Sequence, residues 1–312
     1  MTLFNAFSGV FTVFLVAFLG YALRRKRWVG EEALKALPRF ITMIVMPPFL
    51  LRSITATFEK EQLLGLLSGT LVPAVAITVF FCLAYLFSVV FAVREGRRGA
   101  FITAFAASNT LNVGLPINIA LFGEGAIPYI LVYFFAHDIL FWTVGNYLLA
   151  RDGEQTHVKL LSLESAKRVL SPPLIGFALG MALVLLDIQL PAFLDKTFKY
   201  VGDMAIALAL MYIGIMMGEI RLKDLAPDRD ALLVLAGRCL ICPLIVLALA
   251  AVFPVPETMR NVFVLQAAMP VMLNAAILTG YYGGDVKFMT VVASLSTMLV
   301  VVTVPFWAVC LG

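Results

Sequence analysis

Charge is scarce in this chain: 13% of its 312 residues are Asp, Glu, Lys or Arg, against about 25% in soluble globular proteins. Apolar residues make up 62% of the sequence, more apolar surface than a soluble protein of this size could bury. The two histidines and four cysteines form no cluster with metal-ligand spacing. No Walker loop, dinucleotide-binding glycine motif or nucleophile–base arrangement occurs. These absences exclude a soluble enzyme, a disulfide-rich secreted protein and a nucleic-acid-binding protein, and they predict no cofactor and no metal.

What the sequence has instead is a series of long apolar segments. About 20 mostly apolar residues cross the hydrocarbon core of a bilayer as a helix. Ten segments of this kind are predicted, at 3–23, 38–57, 64–93, 99–122, 126–150, 170–187, 197–219, 230–253, 258–281 and 286–311. The polar intervals are too short to fold alone, so we predict a single all-α membrane domain over residues 1–312.

The basic residues are distributed unevenly between the loops. Most of the 23 Lys and Arg residues fall in one set of alternate loops, beginning with the cluster at 24–27. Because cytoplasmic loops are enriched in Lys and Arg, this distribution predicts that both termini are extracytoplasmic in a plasma (bacterial inner) membrane. The first segment is not a cleavable signal, since its basic cluster follows the apolar stretch rather than preceding it.

The longest polar interval within the chain, 151–169, divides the ten segments into five and five. Because five is odd, two copies of a five-helix unit must insert with opposite orientations, as in many secondary transporters. We therefore predict inverted repeats at about 1–150 and 170–312, joined by a short cytoplasmic loop at 151–169.

The fourth and ninth segments are interrupted in the same way. Each has a proline near its middle, Pro116 and Pro270, and proline cannot donate to the carbonyl four residues earlier in a helix. Those two carbonyls belong to Asn112 and Gln266, which both carry carboxamide side chains. Within a membrane, unpaired backbone groups persist only where protein or a water-filled cavity satisfies them.

We interpret the two prolines as the first residues of second half-helices, a position that proline favours. The free N–H groups and positive dipole ends of these half-helices would favour a carboxylate at the membrane midplane. The alternative is a pair of ordinary kinks whose polar residues join helices, but the match between the two halves favours a binding site. From this argument the substrate-binding candidates are Asn112, Pro116, Gln266, Pro270 and Asn274.

Ionisable residues inside apolar segments are functional candidates, because a membrane makes them costly. Arg238 could extend to the cytoplasmic interface, bind a substrate carboxylate or form an ion pair with a neighbouring helix. His137 and Asp138, near the middle of the fifth segment, could carry a coupling proton or form a structural hydrogen-bonded pair, with Asp138 bridged to Arg238. Asp203, near one end of the seventh segment, is a candidate gate.

These residues resemble those of the auxin efflux carrier family of membrane transporters, particularly its bacterial members. The first matching motif is approximately Asn-Thr-x-x-x-Gly-x-Pro, and it is met by Asn109, Thr110, Gly114 and Pro116. The later matches, in order, are Ala268-Met269-Pro270, Asn274, the run at 282–285 and the small-residue run at 294–297. The likeness extends over essentially all ten segments.

The resemblance implies a 5+5 inverted-repeat fold shared with bile-acid symporters and related to sodium–proton antiporters, in which broken helices 4 and 9 cross. It implies small organic anions as cargo: dicarboxylates such as malate and malonate for bacterial relatives, and indole-3-acetate for plant relatives. It adds Asn109 and Gly114 to the substrate-site candidates. The long central cytoplasmic loop of the plant carriers is missing here, which argues against plant auxin specificity.

The sequence thus predicts a secondary active or facilitative transporter of small organic anions, with segments 1, 2, 6 and 7 moving against the crossover bundle in alternating access. Neither crossover contains an acidic residue, which favours proton symport or facilitated transport over sodium coupling. The alternatives are a sodium- or proton-coupled antiporter of the same fold and a membrane receptor that binds the ligand without moving it. Expected partners are the anion, membrane lipid and protons, with a homodimer by analogy to related folds.

Overall fold

The computed structural model describes residues 3–57, 69–153, 172–219 and 225–311, and within these ranges the regular structure is helical apart from one isolated β-bridge. The first half contains α1 (Leu3–Arg25), α2 (Glu31–Phe40), α3 (Met46–Thr57), α4 (Leu71–Val90), α5 (Arg98–Ala106), α6 (Leu115–Phe122), α7 (Ile127–Leu140) and α8 (Asn146–Asp152). The second half contains α9 (Pro172–Leu185), α10 (Ala192–Gly202), α11 (Met204–Glu219), α12 (Arg229–Ala236), α13 (Cys242–Val252), α14 (Glu257–Ala268), α15 (Leu273–Tyr282) and α16 (Val286–Cys310).

Several of these helices continue into one another through π-helical turns. Such turns at Ile41–Val45, Phe141–Gly145 and Gly237–Ile241 join α2 to α3, α7 to α8 and α12 to α13. Among the described residues, six helical stretches, some of them made of consecutive helices, are long and apolar enough to cross a membrane: Glu31–Ala56, Leu71–Val90, Glu124–Asp152, Ala192–Gly218, Arg229–Val252 and Val286–Cys310. The prediction of an all-helical membrane protein is therefore confirmed.

The remaining predicted segments are also helical but differ in length or continuity. The first forms α1 and the sixth forms α9, whereas the fourth and ninth are broken into α5–α6 and α14–α15. The second segment begins earlier than predicted, at Glu31, because two acidic residues in its first turn favour a helix start. Most of the predicted loop at 151–169 and the start of the third segment lie outside the described residues.

One group of helices packs through glycines. α1 lies along α11, where Gly214 has no room for a side chain beside the backbone of Ala17. α9 lies along α3, where Gly176 has no room beside the backbone of Pro47. Small residues of this kind let membrane helices approach closely. We call α1, α3, α9 and α11 the scaffold group.

The second group contains the first halves of the two broken helices, α5 and α14, and helices that pack near them. α4 packs against α5, α7 and α13, and α13 packs against α14. The buried aromatic side chains at this centre include Phe80, Phe101, Phe105 and Phe263. We call α4, α5, α7, α12, α13, α14 and α16 the crossover group.

An ionic network ties helix N-termini together at one end of the crossover group. Arg97, which precedes α5, pairs with Asp285 at 2.8 Å, with Asp230 at 3.3 Å and with Asp228. Asp285 also accepts from the Phe288 amide at 3.0 Å and so caps α16, and Asp228 caps α12 in the same way. The loops before α5, α12 and α16 therefore lie at the same end of the molecule.

Candidate functional site

The two interrupted helices meet at their breaks. Residues 107–109 run antiparallel to residues 270–272, with Ser108 opposite Val271. The Asn109 amide donates to the Pro270 carbonyl at 2.7 Å, and the Met272 amide donates to the Ala107 carbonyl at 3.1 Å. Each break thus satisfies backbone groups that the other has released, which a membrane interior requires.

The structure corrects the positions at which the second half-helices begin. Pro270 lies within the extended break, and α15 starts three residues later at Leu273. In the fourth segment, a π-helical turn at Thr110–Gly114 runs directly into α6, so the second half begins at Thr110 and Pro116 lies inside it. Pro116 does lie in the first turn of the α-helix α6, as its preference for that position predicts, but the half-helix as a whole begins earlier than predicted, at Thr110. The wide turn, in which Gly114 bonds to Asn109 five residues back at 2.9 Å, shifts the hydrogen-bond pattern before the proline.

The carbonyl of Gln266 is also not free, although the proline argument predicted that it would be. It accepts from the Met269 amide at 3.4 Å, because the chain tightens at the end of α14 before it becomes extended. The polar groups at the site are instead the first turns of the two second half-helices and their side chains.

A cavity of about 200 Å³ lies beside the crossover, between the two helix groups. The first turns of the second half-helices form one part of its wall, α11 forms another and α16 forms a third. Its lining residues are Asn109, Asn112, Val113, Tyr212, Ile213, Met216, Val271, Leu273, Ala276, Thr290, Ala293, Ser294 and Thr297. Of the residues that the structure describes, no Lys, Arg, His, Asp or Glu lines this cavity.

The structure divides the predicted substrate residues into two sets. Asn109 and Asn112 are half-buried and line the cavity. Gln266 does not line it: its Nε2 donates to the Thr110 carbonyl at 3.3 Å, and its Oε1 fills the space beside Gly114. Asn274 is half-buried and lies outside the cavity lining. Two of the four predicted carboxamides, Gln266 and Asn274, therefore do not line the cavity.

Arg238 holds the C-terminal ends of both first half-helices. It is fully buried, and its guanidinium donates to the Phe105 carbonyl at 2.8 Å and to the Ala267 carbonyl. Phe105 and Ala267 lie in the last turns of α5 and α14. A helix C-terminus carries roughly half a negative charge, so one guanidinium balances the two ends. None of the three roles considered from the sequence is the one observed, because the partners are backbone carbonyls.

His137 supports the break from a neighbouring helix. Its Nε2 accepts from the Ser108 amide at 3.0 Å, so the ring carries its proton on Nδ1 when neutral. Asp138, which is 3% exposed, accepts from the Trp142 indole N–H at 3.2 Å. The ion pair between Asp138 and Arg238 that the sequence left open is not formed.

Asp203 lies outside the cavity lining, at the junction of α10 and α11. Its side chain is 58% exposed and pairs with Lys199 at 2.8 Å. An exposed pair one helical turn apart contributes little to stability, and the structure gives Asp203 no contact with the crossover.

The hydroxyl-bearing wall formed by α16 is not among the predicted parts of the site. Thr290, Ser294 and Thr297 line the cavity, and the family resemblance covers only the run at 294–297. The neighbouring Ser296 accepts from the Val271 amide at 3.1 Å and so holds the second break. A helical spacing of four and then three residues was the available signal, since it places residues on one face.

Comparison with known proteins agrees with this architecture. Residues 5–308 match the family described as "Membrane transport protein". The chain belongs to this family. It is similar to an uncharacterized transporter of Methanothermobacter thermautotrophicus, with 26% identity over 306 residues that cover 97% of each chain. It is also similar to an uncharacterized transporter of Methanocaldococcus jannaschii, with 22% identity over 302 residues that cover 96% of each chain.

Membership of this membrane transport family confirms the resemblance to the auxin efflux carriers. It also indicates a transporter rather than an enzyme, in agreement with the sequence analysis. The relatives' names specify neither a substrate nor a coupling ion.

Proposed function

We propose that this protein is a secondary transporter of small organic anions, active or facilitative, that binds its substrate in the cavity beside the helix crossover. The charge arrangement at the crossover carries this proposal. Four half-helix ends meet there, and Arg238 holds the two negative C-terminal ends. The two positive N-terminal ends, at Thr110 and Leu273, contribute residues to the cavity wall. An anion is the solute that such a site favours.

The two carboxamides on the cavity wall would complete the binding of the anion. Asn109 and Asn112 lie at the start of the turn that opens the second half of the fourth segment, and both line the cavity. A carboxamide N–H donates to a carboxylate, and a carboxamide oxygen accepts from a hydroxyl. We propose that these side chains contact the substrate directly, whereas Gly114, Pro116, Gln266 and Pro270 shape the crossover around it.

The proposed ten spans in two inverted five-helix repeats are supported by the way the helices pair. In such a repeat, segments 1 and 2 correspond to segments 6 and 7. The packing of α1 (segment 1) on α11 (segment 7) then corresponds to the packing of α9 (segment 6) on α3 (segment 2), and both pairs are observed. Segments 3 and 4 correspond to 8 and 9, and α4 packs on α5 as α13 packs on α14.

Alternating access is supported by the position of the cavity between two groups of helices. Tyr212, Ile213 and Met216 come from the scaffold group, whereas Thr290 and Ser294 come from α16 of the crossover group. We propose that movement of one group against the other exposes the cavity to each side of the membrane in turn. A receptor that binds the same anion without moving it is the competing function, and a flux measurement separates the two.

We propose a location in the plasma (bacterial inner) membrane with both termini extracytoplasmic. The ionic network supports this orientation, because it gathers Arg94, Arg97 and the loops before α12 and α16 at one end. These are loops that the distribution of basic residues assigned to the cytoplasm.

The decisive experiment is uptake of labelled mono- and dicarboxylates into proteoliposomes that contain the purified chain. We expect saturable uptake, reduced at least about tenfold in affinity by the double variant Asn109→Ala/Asn112→Ala, because each hydrogen bond to a charged group contributes about 1.5–3 kcal/mol. Asn261→Ala is the matched control, because its carboxamide accepts from Arg260 at 3.0 Å and does not line the cavity. Unchanged uptake by the double variant, or binding without flux under any gradient, would contradict the proposal.

A further inference from the structure

Three hydroxyl groups lie on the face of α16 that lines the cavity. Thr290, Ser294 and Thr297 are spaced so that they fall on one side of a helix. The Thr297 hydroxyl donates to the Ala293 carbonyl at 2.7 Å, so its oxygen keeps lone pairs with which to accept from a ligand. Ala293, which also lines the cavity, is small and leaves space beside these hydroxyls.

The opposite wall is largely apolar. Ile213 and Met216 on α11 line the cavity beside Tyr212, together with Val113 and Val271 from the crossover, and the Tyr212 hydroxyl is the polar group of this wall. The carboxamides of Asn109 and Asn112 lie at the half-helix end of the same cavity. The lining therefore offers a place for one negative group, a place for a hydroxyl and a place for a short hydrocarbon.

The cavity can compensate one negative charge but offers no cation for a second. Of the described residues, none with a charged side chain lines it, and Arg238 is already engaged by two carbonyls. A carboxylate removed from water without a cationic partner or sufficient donors is strongly disfavoured. A dianion would place its second carboxylate against the hydroxyls and the apolar wall.

The volume of the cavity also bears on the size of the ligand that it holds. A cavity of about 150 Å³ holds benzene, which has six non-hydrogen atoms. By that comparison, the 200 Å³ available here holds about eight such atoms. An indole carboxylate is larger than this, whereas a hydroxy acid of three or four carbons fits.

We infer that the cavity selects short monocarboxylates that carry a hydroxyl group, and that Ser294 and Thr297 are the residues that recognise this hydroxyl. This inference rests on the proposed function and makes its substrate class specific. The carboxylate lies at the half-helix N-termini with Asn109 and Asn112, the hydroxyl contacts α16 and the carbon chain packs against α11.

The test compares three probes that separate these features: lactate, propionate and malonate. Lactate has the hydroxyl and one carboxylate, propionate lacks the hydroxyl, and malonate has two carboxylates. Affinities are measured by competition against uptake of labelled lactate in proteoliposomes, and by ligand-dependent thermal stabilisation of the purified chain. At neutral pH we expect lactate to bind about two- to tenfold more tightly than propionate, since one neutral hydrogen bond distinguishes them, and malonate to bind more weakly than lactate.

The variant Ser294→Ala/Thr297→Val assigns the preference to α16. We expect it to lower the affinity for lactate to that for propionate while leaving the affinity for propionate unchanged. Thr303→Val is the matched control, because Thr303 lies on the same helix and does not line the cavity. Propionate binding by the double variant also shows that the variant is folded.

The outcomes separate this inference from the proposed function. Malonate binding more tightly than lactate, or a lactate preference that survives in the double variant, would overturn the inference while uptake of an organic anion still upheld the transporter. If none of the three probes binds or moves, the inference falls. If the other labelled mono- and dicarboxylates also show no uptake, the proposed function falls with it.

Discussion

Gln266 occupies the space that Gly114 leaves by having no side chain. The carboxamide comes from α14 in the second half of the chain. It extends across the crossover to the first turn of the second half-helix of the fourth segment. There its Nε2 donates to the Thr110 carbonyl at 3.3 Å. Its Oε1 and Cδ lie less than 3.0 Å from the position that a Cβ on residue 114 would take. The two halves of the molecule therefore interlock at a single glycine.

Gly114→Ala is expected to destabilise the protein. The added methyl group collides with the Gln266 carboxamide, and overpacking of a tight interior costs about 1–3 kcal/mol. The measurement is the thermal unfolding midpoint of the detergent-solubilised chain, with Gly125→Ala as control because Gly125 has open space around it. The second change Gln266→Ala should restore part of the loss, and equal midpoints for the variants at 114 and 125 would refute the interlock.

Replacement of Arg238 is expected to affect stability before it affects affinity for substrate. Arg238→Met leaves the Phe105 and Ala267 carbonyls without their donor, and removal of one partner of a buried charged contact costs about 3–5 kcal/mol. Arg238→Lys keeps the charge but lacks the planar guanidinium that reaches both carbonyls. Its loss of stability should therefore be smaller than that of Arg238→Met. Unfolding midpoints and KM are measured together. The control is Arg260→Met, because Arg260 is partly exposed and pairs with nearby Glu257 and Asn261. An Arg238→Lys variant of unchanged stability but greatly raised KM would assign Arg238 to the substrate instead.

Asp138 is the residue we propose for proton coupling. Its carboxyl is buried, accepts from Trp142 and follows His137, which holds the Ser108 amide at the break. Asp138→Asn should abolish accumulation driven by a pH gradient while leaving exchange of substrate across the membrane intact, because the amide cannot take up and release the proton. Exposed Asp187→Asn is the control. Undiminished proton-driven accumulation in Asp138→Asn would exclude the role, and accumulation driven only by a sodium gradient would favour the sodium-coupled alternative.

The ionic network predicts a loss of stability in acid. Burial alone would raise the pKa of Asp285, but the Phe288 amide and the Arg97 and Arg94 guanidinium groups hold this pKa below its usual value of 3.8. A carboxyl whose pKa is lowered on folding stabilises the protein above its unfolded pKa, and this contribution disappears as pH falls through the folded value. Unfolding midpoints should therefore decline as the pH drops below about 4.

Arg97→Met tests whether this network is the cause. At neutral pH the free energy of unfolding of the variant should be lower by about 1.5–3 kcal/mol, the range for hydrogen bonds to charged groups. The fall of its unfolding midpoint in acid should be shallower than that of the wild type. Arg94→Met is the matched control, because Arg94 contacts the same carboxylate at 2.8 Å but is 68% exposed, and its loss should be below about 1 kcal/mol. Parallel acid profiles for the wild type and Arg97→Met would place the acid-sensitive groups elsewhere.

The sequence predicts the helical segments and the two interruptions well, because both follow from local properties. Apolar runs of about 20 residues read directly as membrane helices, and Pro116 and Pro270 mark the two interrupted segments. The exact start of a half-helix is not local: the π-helical turn at Thr110–Gly114 depends on contacts such as that between Thr110 and Gln266. Proline position therefore identifies the two interrupted segments, but it predicts the start of the second half-helix too late in the fourth segment, where the half begins at Thr110, and too early in the ninth, where it begins at Leu273.

The binding wall and the role of Arg238 were harder to predict, for different physical reasons. Hydroxyl groups on membrane helices commonly bond to a carbonyl of their own helix, as Thr297 does, so the helical spacing of Thr290, Ser294 and Thr297 does not by itself indicate a binding wall. Arg238 binds the backbone of Phe105 and Ala267, and backbone acceptors are present at every residue. Asn274 shows the converse, since its type and spacing resemble those of a binding residue although it lies outside the cavity.

The pairing of the two breaks has a consequence for the history and the handling of this molecule. The Asn109 amide of the first half bonds to the Pro270 carbonyl of the second, and the Met272 amide of the second half bonds to the Ala107 carbonyl of the first. Arg238 from the second half also binds the C-terminal end of a helix of the first. Each half alone would therefore leave backbone groups at its break without their hydrogen-bond partners. Two fragments divided in the interval between α8 and α9 should accumulate only when they are co-expressed. Under the inverted-repeat fold that we propose, an ancestral single-repeat protein would have needed a second, oppositely inserted copy of itself in order to fold.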